Sequence, residues 1–161
     1  MEVDYALLRT IHRILRQLND LNDRLEKGPR QIAIAERAKN AFVTDLEEVK
    51  QTRLKSKMAA DEKQLQLSGR EARIEELKSK RNGVSSNREY QLLTEQILAD
   101  QQANAVLSDE ILELLEKIEN LDAAVVQSET NLGKAQQETK KVEERINAEM
   151  ASLESECERV G

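Results

Sequence analysis

The chain has 161 residues, 31 of them Asp or Glu and 25 Lys or Arg, with 39% hydrophobic and 2% aromatic residues. One Phe, two Tyr and no Trp cannot stock the core of a compact domain of this length, whereas a mix heavy in Ala, Leu, Glu, Lys, Gln and Arg is the one long helices use. One Cys excludes a disulfide framework or a four-Cys zinc site within the chain, and one His with no Gly-rich loop leaves most catalytic motifs without their parts.

Charge divides along the chain. Residues 1–84 hold 18 basic and 14 acidic side chains, and residues 85–161 hold 7 and 17. Arms of opposite sign are suited to lie against each other, because opposite charges flanking a helical seam favour that pairing. No run approaches the ~18 apolar residues of a membrane span, and Met1-Glu2-Val3-Asp4 is acidic where a secretory signal is basic. The expectation is a cytoplasmic protein with no membrane partner.

Residues 1–28 read as a first short helix. Leu7, Ile11, Ile14, Leu18, Leu21 and Leu25 recur every 3.5 residues on average, the spacing of a coiled-coil seam. Gly28-Pro29 predicts a helix break, since Gly suits the residue after a helix end and Pro the first position of a new helix. A long ascending helix follows over 29–81, with Ile32, Ala35, Phe42, Leu46 and Val49 resuming the seam. Between Arg53 and Gly69 the phase wanders through Leu54, Met58, Leu65 and Leu67, which predicts a stutter or bend. Ile74 and Leu77 restore it.

Residues 82–87 read as the tip turn. Asn82-Gly83 can end a helix with Gly83 in the left-handed conformation, and Ser86-Asn87-Arg88-Glu89 reads as a capping box. The long return helix spans 88–161. From Tyr90 to Val160, alternating steps of three and four give 21 positions, 15 of them apolar, with no phase slip. The expected fold is all-α: a long antiparallel two-helix coiled-coil hairpin with a helix break at Gly28-Pro29, one elongated coiled-coil domain overall. Folding near Val84 would set Leu77 near Leu93, Val49 near Ile118 or Leu121, and Leu18 near Met150.

The stretch Asn87-Arg88-Glu89-Tyr90-Gln91-Leu92-Leu93, followed by Asp109-Glu110-Ile111-Leu112-Glu113-Leu114-Leu115-Glu116, resembles the coiled-coil region of the bacterial C4-type zinc-ribbon domain protein family. The layout is similar too: a short helix, a Pro break, a long helix, a tip carrying the Asn-Arg-Glu-Tyr motif, and a long return helix. The resemblance implies a C-terminal zinc ribbon with two Cys pairs and a role in binding nucleic acid or regulating partners. Cys157 stands alone in this sequence. No metal ligand carries over to it, and zinc would enter only with a ribbon beyond Gly161.

Single residues are weighed against plainer roles. Cys157 reads as an inert thiol one position past a seam site, and His12 as a solvated helix residue. Asp100 and Asn104 interrupt the seam as adjacent core-facing polar positions, which suits setting the register. No pocket is expected to shift the many carboxylates, so no catalytic, cofactor or metal residue is assigned.

Two regions stand out. Around the turn, Arg70, Arg73, Lys78, Lys80, Arg81 and Arg88 outnumber Glu71, Glu75, Glu76 and Glu89 by two on an acidic protein. From this region Arg81, Asn87, Arg88, Glu89 and Tyr90 form the candidate partner-binding set, with protein the first partner class and nucleic acid the second. The plainer reading is a set of solvated helix faces, as it is for a second basic run at Lys50, Arg53, Lys55 and Lys57. Leu92, Leu98, Val106, Leu112, Leu115 and Val126 are apolar but off the seam. Leu92, Val106, Leu112 and Leu115 are the candidates for self-association as a homodimer, against a plain scatter of exposed apolar residues.

The functional expectation is therefore a non-enzymatic coiled-coil scaffold or adaptor that binds protein partners. A stalk or chaperone-like coiled-coil protein of a type III or flagellar export ATPase is the alternative. Apolar exposed ends would favour the stalk, and the polar last turn (Glu154, Glu156, Glu158, Arg159) weighs against it.

Overall fold

A computed structural model describes residues 2–160. It contains two helices, α1 (Glu2–Gly83) and α2 (Asn87–Val160), joined by Val84, Ser85 and Ser86 and packed antiparallel as an all-α hairpin. The described residues form no strand. The hairpin divides into two compact units, Met1–Leu46 with Ser128–Gly161 and Glu47–Gln127.

The helix break expected at Gly28-Pro29 does not occur: α1 runs through both residues. Gly28 is itself a seam position, buried against α2, and is not a cap. A Cβ built on it would lie 2.9 Å from Ile146 Cγ2 and 3.6 Å from Met150 Sδ. Glycine is needed because the partner helix comes too close for a side chain. Pro29 removes one N–H from the helical ladder and crowds the carbonyl four residues back, at a cost of ~3 kcal/mol in a helix interior. Leu21 and Leu25 before it, and Ile32 and Ala35 after it, are buried or half-buried along the seam and hold the helix across that defect.

The unit of residues 1–46 and 128–161 is pinned by polar contacts as well. The buried Thr139 hydroxyl lies 3.3 Å from the Ala35 carbonyl and 2.8 Å from that of Ala135. Arg145 Nη2 donates to Gln31 Oε1 at 3.4 Å. Lys39 Nζ sits 2.9 Å from Glu36 Oε2. That hydrogen bond, then one involving Glu143, hold the Glu36 carboxyl below its ordinary value despite some opposing desolvation.

The heptad pattern of α2 also changes phase near its end. Met150 and Cys157 are half-buried and Leu153 is buried, while the expected seam residues Glu149 and Glu156 are exposed. Stepping four from Ile146, instead of three, keeps the carboxylates in water. Cys157 therefore belongs to the seam rather than beside it.

In the unit of residues 47–127, Ile74, Leu77 and Ile97 form a buried cluster with Leu93 packed against it. Farther along, Arg53, Ser56, Ala60, Lys63 and Leu67 occupy the inward positions of α1, buried or half-buried at unbroken spacings of three and four. The expected phase wander between Arg53 and Gly69 is thus absent. Small and polar residues hold the seam while Leu54, Met58 and Leu65 point outward, and a pattern read from the leucines follows the wrong face. The long polar seam residues pair across the hairpin, Arg53 with Asp122, and Lys63 Nζ with Glu110 Oε2 at 2.5 Å.

Register agrees with the expected pairs near the tip, where Leu93 packs against the cluster that holds Leu77, and departs from them farther down. Met150 meets Gly28 rather than Leu18, and the stretch Glu47–Leu54 shares a groove with Asp122, Val125 and Val126, beyond the expected Ile118 or Leu121. Helical side chains lean toward their own N-terminus. In an antiparallel pair the α1 side chains therefore lean away from the tip and those of α2 toward it. Each α1 residue then meets an α2 residue several positions farther along than simple reflection about Val84 predicts.

Candidate functional site at the hairpin tip

The turn needs only three residues, and its geometry begins with α2. Tyr90 N donates to the Ser86 carbonyl at 3.0 Å, which makes Ser86 the N-cap and Asn87 the first helical residue. Gly83 still belongs to α1, and among the described residues no glycine has a positive φ, so the expected left-handed Gly83 is not present. Val84, half-buried, turns the chain instead.

Above the Ile74, Leu77 and Ile97 cluster, Arg81 reaches across the hairpin. Its guanidinium carbon stands 5.3 Å from the centroid of the Tyr90 ring, and its Nη1 lies 3.5 Å from Thr94 Oγ1. The Thr94 hydroxyl in turn donates to the Tyr90 carbonyl at 2.8 Å. Arg81 Nε is sealed from solvent with no hydrogen-bond partner in the protein. A cation over an aromatic face is attracted by the ring quadrupole, more strongly where water is excluded. Arg81, Tyr90 and Thr94 therefore form one cross-helix clasp, and Arg81 is a supporting residue rather than an exposed charge.

Tyr90 remains 45% exposed. Around it Asn87, Arg88 and Glu89 occupy the first turn of α2 and are exposed. Of the five expected tip residues, Asn87, Arg88, Glu89 and Tyr90 are each accessible in the first turn of α2, and Arg81 holds the Tyr90 ring through its guanidinium. Thr94 escaped the sequence reading because it is off the seam by spacing; its place one turn after Tyr90 was the available signal.

Farther along α2, Asn104 is buried and Asp100 half-buried, as their seam positions predicted. Asn104 Oδ1 and Asp100 Oδ2 lack protein hydrogen-bond partners. Leu92 and Val106, 14 residues apart, share a helix face; Leu112 lies six residues past Val106, about 120° away by helical spacing. The four self-association candidates are exposed but do not form one patch. Among the described residues, no group of three His, Cys, Asp or Glu side chains is placed to hold a metal ion, and no helix is long and apolar enough to cross a membrane.

No family model matches the sequence, and no curated protein matches it. Among solved structures, CT398 from Chlamydia trachomatis is similar, with a TM-score of 0.78 at 15% identity, over 94% of this chain and 69% of that one. At that identity the similarity shows the fold alone: a helical hairpin.

Proposed function

We propose that this chain is a non-catalytic hairpin adaptor whose tip binds a protein partner in the bacterial cytoplasm. The observation that carries the reading is the clasped but accessible Tyr90 ring, with Asn87, Arg88 and Glu89 exposed in the same first turn of α2. Aromatic anchors with charged rims are the composition of interface hot spots, and a ring already held in place loses little freedom on binding. The resemblance to the C4-type zinc-ribbon family supports a second, nucleic-acid-facing role for a zinc ribbon outside this sequence. The test is a photo-crosslinking residue at Asn87 in cells. The expected result is one dominant protein adduct, lost in Arg88→Glu with Tyr90→Ser while helicity is unchanged. An adduct pattern that is indifferent to both substitutions overturns the reading.

A specific observation favours the stalk as the second reading. Leu7, Leu8, Ile11 and Leu15 near the start of α1 are exposed, and apolar free ends are what insertion into a ring requires. Leu8→Glu with Ile11→Glu should then abolish partner capture while the tip variants do not.

A further inference from the structure

We propose that the side of α1 directly away from α2 is a second helical seam, which pairs antiparallel with the same seam of a second copy of the chain, centred between Ala59 and Ala60. The seam is carried by Leu54, Met58 and Leu65, which are 49%, 63% and 75% exposed.

The inward positions of α1 fix where this seam lies. Ser56, Ala60, Lys63 and Leu67 face α2, buried or half-buried. Met58 stands two residues from both Ser56 and Ala60, and Leu65 two residues from both Lys63 and Leu67. At about 100° per residue, both side chains leave the helix on the side opposite α2. Leu54 is four residues before Met58, about 40° away, and shares that stripe. Alternating steps of four and three from Leu54 give Met58, Asp61, Leu65, Ser68 and Ala72, all exposed. That is heptad spacing, as on the inward side of the same helix.

Charge on the two shoulders of the seam selects a second copy and its direction. Lys50, Lys57, Gln64 and Glu71 line one shoulder, and Lys55, Glu62, Gly69 and Glu76 the other. In a parallel, in-register pair, opposite shoulders meet. Asp61 then faces Asp61, Lys50 faces Lys55 and Glu71 faces Glu76, with only Lys57 and Glu62 well matched. In an antiparallel pair each shoulder meets itself. Leu54 of each copy then packs against Leu65 of the other, and Asp61 lies beside Met58. Lys50 meets Glu71 and Lys55 meets Glu62, each pair formed twice with no like charges opposed. From Lys50 to Glu71 the seam runs about 32 Å, and at a helix width of about 10 Å its footprint is about 320 Å² per copy. A standard specific interface takes about 800 Å² per partner, so this dimer is weak and forms by mass action at high concentration.

The experiment uses the full chain with Cys157→Ser. Leu54→Cys and Leu65→Cys variants are mixed and oxidised. The disulfide-linked pair carrying one of each should exceed either self-linked product by about tenfold, because like positions stand about 16 Å apart in the antiparallel pair. Sedimentation equilibrium should show the mean mass rising from one chain toward two as concentration approaches ~1 mM. Leu54→Glu with Leu65→Glu should hold it at one chain with helicity unchanged, since both positions are exposed. Lys55→Glu should weaken the dimer about threefold, and Glu62→Lys added to the same chain should restore it. A single-chain mass at ~1 mM overturns the proposal, as does a dimer indifferent to Leu54→Glu with Leu65→Glu. Preferential self-linking of Leu65→Cys, the mark of a parallel pair, overturns it too, as does a charge reversal at Lys55 that Glu62→Lys does not rescue.

Discussion

Arg81 illustrates how a charged residue can serve a fold without an ion pair. Its aliphatic stem and buried Nε lie within the hairpin, and its charge rests on Tyr90. Arg81→Ala should lower stability by about 1 kcal/mol, the combined loss of a half-exposed cation–π contact and stem packing. Thermal melting checks this, and quenching of Tyr90 by added iodide should rise as the ring is released. Glu36 offers a pH-dependent counterpart. Lys39 depresses its folded-state pKa, so the stabilisation is present above the ordinary carboxylate range and is lost as pH falls through the lowered value. In Lys39→Met the melting temperature should fall relative to the parent at neutral pH. The gap should close on acidification, as melts across pH 7 to 3 would show.

At the scale of elements, two adjacent residues in α1 have opposite energetic signs. Pro29 is a cost the helix tolerates, so Pro29→Ala should raise stability by about 1–3 kcal/mol by restoring a helical hydrogen bond and removing a clash. Gly28 is a requirement of close approach. Gly28→Ala gains ~1 kcal/mol of helix propensity but drives a methyl against Ile146 Cγ2, and such overpacking costs about 1–3 kcal/mol. The expected balance is a loss, partly recovered by Ile146→Leu, which removes the branch at Cβ. Chemical denaturation of the three variants separates these terms.

For the whole molecule, charge and apolar pattern act together. Arg53–Asp122 and Lys63–Glu110 join the basic helix to the acidic one, but their side chains are part-exposed and each is worth ~0–1 kcal/mol. Raising salt from low ionic strength to ~1 M should therefore lower the melting temperature by only a few degrees, whereas loss of a buried seam residue such as Ile111 or Ile146 should cost several kcal/mol. The sequence by itself determined that the chain is helical, where it turns, and that α2 presents a seam. A 3.5-residue apolar repeat and a Ser-initiated helix start are local signals, readable without knowing a neighbour. Three things were decided only when the second helix lay in place. Gly28 looked like a helix stop because nothing in one chain segment shows that Ile146 needs its missing side chain. Leu54, Met58 and Leu65 looked like a slipped seam because the polar residues beside them gain their partners, Asp122 and Glu110, only across the hairpin. The register itself followed from side chains leaning in opposite directions on antiparallel helices. That geometry belongs to the pair of helices and to neither one alone.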